Sequence, residues 1–191
     1  MKNERTLVLI KPDALKRGIF GKILSRFEDA GFKIVAMKMI KIDDAFAKKH
    51  YILDEAWAKA SYAKTKEIHD KIGHKLDFKD HMDYGKTIQQ WNANVLTDGP
   101  LIAFVLEGPH AVELARKIIG PTEPRQGMPG TIRGDFMTVE SYAVADAKKR
   151  ALKTLVHASD SVENAQREIN LWFKPKELHA DYKILNDYLV E

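Results

Sequence analysis

One histidine in this chain of 191 residues stands where chemistry can be done. The stretch Thr154-Leu155-Val156-His157-Ala158-Ser159-Asp160-Ser161 sets His157 between a short apolar run and the start of a patterned helix. Downstream, Val162, Ala165, Ile169 and Trp172 recur at helical spacing, and Asp160 with Glu163 has the D-x-x-E form of a capping box. His157 is therefore expected at a strand-to-helix corner, where backbone N–H groups and a helix N-terminus favour an anion. Neutral imidazole is a nucleophile near pH 7. Among cations and hydroxyls it is suited to phosphoryl transfer through a phosphohistidine.

The cations must come from side chains, because no G-x-x-x-x-G-K-[ST] and no G-x-G-x-x-G opens a helix here. Lys11 at the end of the first strand, Arg116 on a later helix and Arg133 in a long loop are the candidates, with Thr122 as a neutral donor. They are remote in sequence, but strand ends and their connecting loops converge in a two-layer fold. Glu168 lies eight residues beyond the expected cap at Asp160. It reaches back to the corner only if the histidine ring leans over it, and would then orient that ring through one nitrogen and leave the other free. His69, His74 and His81 do not repeat at the i, i+4 spacing of a helical metal pair and have no cysteine near them, so they are read as structural or solvated.

The elements that position these residues follow from apolar patterning. Thr6 to Ile10 is a short aliphatic run stopped by Lys11-Pro12-Asp13. Phe20, Ile23, Leu24, Phe27 and Ala30 mark a helix ended by Gly31. A second strand is predicted from Phe32 to about Ile42, a third over Leu101–Leu106, and a last one at Leu155-Val156. Pro109 is placed at the first position of a helix carrying Val112, Leu114, Ala115, Ile118 and Ile119. Residues 43–63 are predicted to be helical, and 120–136 form a Gly/Pro-rich loop long enough to expect a function. Strand, helix, strand thus occurs twice. The fold class expected is α+β, a ferredoxin-like split β-α-β sandwich with helices packed on an antiparallel four-stranded sheet.

Composition bounds the partners. The length and a 45% hydrophobic content suit one core, so residues 1–191 are expected to form a single domain. A net charge of +4 from 31 basic and 27 acidic residues favours phosphate-bearing partners without requiring nucleic acid. The absence of cysteine excludes disulfides and thiolate chemistry. No signal-like or membrane-spanning stretch is visible, so a cytoplasmic protein without a membrane partner is expected.

The motifs together resemble the nucleoside diphosphate kinase family. Glu4-Arg5-Thr6 with Ile10-Lys11-Pro12-Asp13, Arg17-Gly18, Gly31-Phe32, Pro129-Gly130-Thr131-Ile132-Arg133-Gly134-Asp135-Phe136, His157-Ala158-Ser159-Asp160-Ser161, Glu168-Ile169 and Leu171-Trp172-Phe173 carry the likeness. It implies transfer of the γ-phosphate of a nucleoside triphosphate, typically ATP, to a nucleoside diphosphate. The implied mechanism is ping-pong, with His157 as nucleophile. It also implies Mg2+ held through the nucleotide phosphates rather than by protein ligands, and a homo-oligomer, tetramer or hexamer. By motif position Lys11, Tyr51, Arg116, Thr122, Arg133 and Thr154 would contact the nucleotide, Glu168 would orient His157, and Ser159 would support that pair. Thr154 stands where the family usually has asparagine, and Ala158 where it has glycine. Segments within 52–98 and 137–153 are longer than usual in the family, so the base-stacking aromatic is open, with Trp91 or Tyr84 as candidates. The same corner would also serve a histidine phosphocarrier or protein-histidine phosphotransferase. An RNA-binding ferredoxin-like module would need paired aromatics on the central strands, and only Phe104 is offered.

Overall fold

The computed structural model describes residues 3–71, 77–137 and 139–190. Its framework is a four-stranded antiparallel sheet of β1 (Glu4–Ile10), β2 (Lys33–Ile40), β3 (Leu101–Gly108) and β4 (Val156–Ala158), in the order β2-β3-β1-β4. This is the ferredoxin-like arrangement expected. β1 and β3 are central because both are aliphatic on both faces. In β1, Leu7 and Leu9 point to one layer, Val8 and Ile10 to the other, and all four are fully buried.

Helices α1 (Pro12–Lys16) and α2 (Phe20–Asp29) follow β1. Pro12 opens α1 without loss of a backbone bond, since its missing N–H lies in the first turn. α2 buries Ile23 and Phe27, and the Phe27 ring meets Phe104 edge-on at 5.7 Å. Removing that ring would cost roughly 3–5 kcal/mol. α6 (Ala111–Ile119) covers the same face through Ala111, Ala115 and Ile119. The opposite face is covered by α3 (Asp44–His50), α5 (His81–Thr97) and α9 (Val162–Trp172), which contribute Ala47, Leu96, Ile169 and Trp172.

Several local expectations are corrected. The helix predicted over 43–63 is broken: α3 ends at His50 and α4 (Glu55–Lys71) starts afresh, with the Asp54 carboxylate accepting from the Trp57 N–H at 2.7 Å. α6 opens at Ala111, not Pro109, because His110 precedes it in the left-handed region at φ 53°. Asp160 does not cap α9. Ser161 does, accepting from the Asn164 N–H at 3.1 Å, while Asp160 accepts from the Asn164 side chain. His157 lies inside β4, opposite Leu9, rather than beyond the strand. The long loop contains a 3-10 turn, Pro124–Gln126, and a short helix α7 (Ile132–Phe136), so Arg133 is helical.

The described residues within 52–98 and 137–153 carry helices of their own. α4 and α5 pack together, and Tyr84 sits between them with its hydroxyl 3.2 Å from Ser61 and 3.0 Å from Thr65. In the second segment α8 (Tyr142–Ala147) is held by Arg150, which meets the buried Glu140 carboxylate through two bonds of 2.9 and 3.0 Å. The C-terminal segment runs past β2, His179 N–H donating to the Val35 carbonyl at 2.7 Å, and ends in α10 (Leu185–Val190). Among the described residues no helix is long and apolar enough to cross a membrane.

Candidate active site

Pairing of β4 with β1 fixes His157 from below. Ser159 N–H donates to the Leu7 carbonyl at 3.1 Å, and Leu7 N–H donates to Ser159 Oγ at 3.2 Å. Ser159 then donates its own hydroxyl proton to Glu168 Oε2 at 2.7 Å. The same oxygen lies 3.0 Å from His157 Nε2, and Arg167 approaches the other oxygen at 3.4 Å. Glu168 is therefore buried but fully engaged, as a charge in a core must be. A carboxylate only accepts, so Nε2 carries the imidazole proton and Nδ1 keeps its lone pair. No described residue hydrogen-bonds Nδ1, and the His157 side chain retains 19% of its surface open.

The segment leading into β4 is strained and heavily tied. Leu155 has φ 63°, and Val156 N–H reaches back to the Thr154 carbonyl at 2.6 Å, closing a three-residue turn. Such a backbone costs roughly 1–3 kcal/mol and persists only where its surroundings determine it. Here they do. Lys11 N–H donates to the Leu155 carbonyl at 2.8 Å, the Asp13 carboxylate accepts from Leu155 N–H at 3.1 Å, and Lys11 Nζ donates to Thr154 Oγ1 at 2.8 Å. Arg133 donates to the carbonyls of Thr154, Gly120 and Val156 at 3.2, 2.8 and 2.7 Å.

Burial pulls the Lys11 ammonium down to about 8, opposed by Asp13 and assisted by the Arg133 charge. Arg133 is drawn down to about 10, again by burial first and then by the Arg116 charge. Both remain cationic at neutral pH. Tyr51, at the end of α3, has its hydroxyl pushed up by burial and by Glu168, so it is a neutral donor, and its ring lies 6.2 Å from His157. Arg116 and Thr122 are exposed and their side chains have no hydrogen-bond partner among the described residues, although the Arg116 charge is felt at Arg133. A cavity of about 660 Å³ is lined by Arg116, Lys117, Thr131, Asp160 and Ser161, and His157 is not among its lining residues.

The expected residues thus fall into two sets. His157, Glu168, Ser159, Lys11, Thr154, Arg133 and Tyr51 converge; Arg116 and Thr122 stand at the rim without a side-chain tie to them. Thr154 is buried, and its hydroxyl is taken by Lys11. Trp91 is half-buried on α5, and Tyr84 is buried between α4 and α5, so Tyr84 presents no free ring face to a base. Of the three histidines weighed as metal ligands, His81 lies 3.6 Å from Glu55, His69 is on α4, and His74 is outside the described residues.

Two participants were not singled out from sequence. Asp13 was quoted only as part of a motif, and its position after Lys11-Pro12 was the available signal. His50 was passed over altogether. It is 2% exposed, its ring centroid is 4.5 Å from that of His157, and Trp172 Nε1 donates to its Nδ1 at 3.2 Å. Its pKa is driven well below the ordinary value, by burial above all. His50, His157 and Glu168 bring potential ligand atoms within 4.8 Å of one another. That set does not fit Mg2+, which requires octahedral oxygen ligands, because two of its three members offer only ring nitrogen. Magnesium carried on a ligand's phosphates is compatible with these residues; magnesium held by them alone is not.

A sheet in this order with a carboxylate-paired histidine beside buried cations defines a phosphotransferase of ferredoxin-like fold. Comparison with known proteins agrees: the family model for nucleoside diphosphate kinase matches residues 4–72 and 76–178. The nucleoside diphosphate kinase of Pyrobaculum aerophilum is 40% identical over 92% of this chain and 97% of its own length. That of Pyrococcus horikoshii is 45% identical over 92% and 88%. A crystal structure of the Pyrobaculum aerophilum NDP kinase superimposes with a TM-score of 0.88 at 38% identity, covering 93% of this chain and 100% of that one. A Borrelia burgdorferi nucleoside-diphosphate kinase structure, described as a transition state mimic with bound vanadate and ADP, superimposes at 0.77 with 33% identity over 97% and 95%. The chain belongs to the nucleoside diphosphate kinase family and is a nucleotide phosphotransferase.

Proposed function

We propose that the chain moves the γ-phosphate of a nucleoside triphosphate, typically ATP, onto a nucleoside diphosphate by a ping-pong route through His157. The lone pair on Nδ1 attacks the γ-phosphorus, an N–P bond forms, the bond to the β,γ-bridging oxygen breaks, and the diphosphate leaves. A second diphosphate then attacks the phosphohistidine, and the N–P bond gives way to a new P–O bond. Glu168 holds the Nε2 proton throughout and stabilises the positive charge that develops on the ring. Lys11 and Arg133 spread the charge of the transferring group, with Tyr51 as a neutral donor and Arg116 and Thr122 at the entrance. Magnesium on the nucleotide phosphates would add charge neutralisation. No proposed contact reads a base, so broad base specificity is expected.

The observation that carries this reading is the orientation of His157: its proton-bearing nitrogen is bound to a buried carboxylate and its basic nitrogen has no partner among the described residues. Support also comes from the vanadate and ADP found in the Borrelia burgdorferi relative, since vanadate resembles a phosphoryl group in transit. The enzyme is proposed to act in the cytoplasm, where both nucleotides are supplied, as a homo-oligomer. Met37 and Met39, exposed on the edge strand β2, favour self-association. Initial rates measured with ATP and dTDP both varied should give parallel double-reciprocal lines. Intersecting lines would exclude the ping-pong order. ATP-dependent labelling of His157 without turnover on any nucleoside diphosphate would favour the phosphocarrier instead.

A further inference from the structure

Glu168 stands among four potential donors, and where its carboxylate settles depends on how they divide it. Ser159 and His157 bind Oε2, Arg167 is 3.4 Å from Oε1, and His50 Nδ1 lies 3.9 Å from Oε1. The last distance is too long for a hydrogen bond, yet a small rotation of either side chain would close it. Whether His50 can compete depends on which of its nitrogens carries the proton.

Trp172 decides that. Its indole N–H is a donor only, and at 3.2 Å it points at His50 Nδ1, which must therefore be unprotonated. The His50 proton sits on Nε2, a buried atom with no acceptor among the described residues. Leaving a buried donor unpaired is unfavourable by about 1–3 kcal/mol, so the alternative tautomer would be preferred if Nδ1 were free to point its N–H at the carboxylate. Both residues are almost wholly buried, which makes the indole's hold on His50 independent of solvent. The charged and titratable groups around His50 are His157 on β4, Arg167 and Glu168 on α9, Lys11 after β1, and the neighbouring Tyr51.

We propose that Trp172 is a positioning residue for phosphoryl transfer: by fixing His50 in its Nε2–H tautomer, it keeps His50 from taking Glu168 away from His157. This rests on the phosphohistidine reading above. Glu168 is left to hold His157 Nε2–H, and His157 Nδ1 stays aimed outward. The indole, 122 residues away from His50 in the chain, thus acts on the nucleophile through two intermediaries.

The test uses the full-length protein and three forms: wild type, Trp172→Phe, and Trp172→Phe with His50→Phe. Nitrogen-15 NMR of the histidine rings should show His50 as Nε2–H in wild type between pH 6 and 8, and a shift toward Nδ1–H in Trp172→Phe. The single-turnover rate of His157 phosphorylation by ATP should fall about tenfold in Trp172→Phe, with the apparent KM for ATP within about twofold, as for a displaced catalytic group. Adding His50→Phe removes the competing donor and should raise the rate above that of Trp172→Phe. A packing defect alone would be worsened by a second core substitution, so the direction of the second step separates positioning from structure. The proposal is overturned if His50 is Nδ1–H in wild type, if Trp172→Phe leaves the tautomer unchanged, or if the double variant is slower than the single one. A wild-type protein that never becomes phosphorylated on His157 would overturn the parent reading instead, while the NMR comparison would still report on the tautomer.

Discussion

Glu168 and Arg116 are both charged residues on helices packed against the same sheet, and they live under opposite conditions. Glu168 is buried and engaged by His157, Ser159 and Arg167. Arg116 is exposed and its side chain has no hydrogen-bond partner among the described residues. The difference extends to their surroundings. The floor of the site, made by β1, β4 and α9, uses Ser159 and Glu168 to fix one imidazole ring, while Lys11 and Asp13 just after β1 tie the strained turn before it. At the rim, on α6 and the 120s loop, the side chains of Arg116 and Thr122 have no hydrogen-bond partner among the described residues, whereas Lys117, Arg125 and Gln126 are paired with neighbouring glutamates. The support of the histidine is held by protein; these two rim side chains are not. Lys11 and Arg133 belong to both regions, since they tie the strained turn and also supply charge.

That dual membership gives the largest expected effect. Arg133→Ala would remove one donor from each of the carbonyls of Gly120, Thr154 and Val156 and take charge from the site. We expect a loss of about 3 kcal/mol or more in denaturant unfolding and about 10²–10³-fold in turnover. Arg116→Ala provides the contrast: a comparable loss of turnover with unfolding unchanged. Equal stability losses for the two would erase the distinction between floor and rim.

Glu168→Gln tests the floor. The amide oxygen can still accept from Ser159 and His157, but its NH2 then faces the Arg167 donor, and the ring loses its counter-charge. Phosphorylation by ATP should slow about 10²-fold in single-turnover measurements, at constant KM.

Lys11 gives a prediction in pH. Its folded pKa is about 8 against an ordinary 10.5, so between those values the unfolded chain binds the proton and the folded one does not. The sign follows: Lys11's contribution to stability rises as pH increases from 8 to 10.5, whereas its charge, and hence kcat/KM, falls through pH 8. Lys11→Arg should move the alkaline limb of kcat/KM beyond pH 10, whatever its rate at neutral pH. An unchanged limb would assign it to another group.

The smallest effect lies away from both regions. Tyr84→Phe removes a hydroxyl shared with Ser61 and Thr65. It should lower stability by about 1 kcal/mol in denaturant unfolding and leave turnover intact.

The sheet was legible because its strands announce themselves as aliphatic runs of the right length, and β1 and β3 are apolar on both faces. The lengthened segments were not. In α4 the apolar residues are mostly alanines, which give little periodic contrast, and the break after α3 contains neither glycine nor proline. Its one signal was Asp54, a capping residue three positions before Trp57. At α9 either Asp160 or Ser161 satisfies the capping pattern, and only the tertiary position of the chain selects Ser161. Within the site, Lys11, Arg133, Glu168 and His157 were legible from residue type and motif. His50 was not, because its role depends on Trp172, and nothing local to residue 50 reveals a partner so distant in sequence. The engagement of Thr154 by Lys11 was hidden for the same reason.

The central claim, that the free Nδ1 of His157 accepts the phosphoryl group, is open to one direct measurement. The protein is incubated with ATP labelled in the γ-phosphate, freed of nucleotide, and divided. The label should be stable in base, lost in acid, absent from His157→Ala, and discharged onto added GDP or CDP. A label that survives acid, or that persists in His157→Ala, would contradict the account.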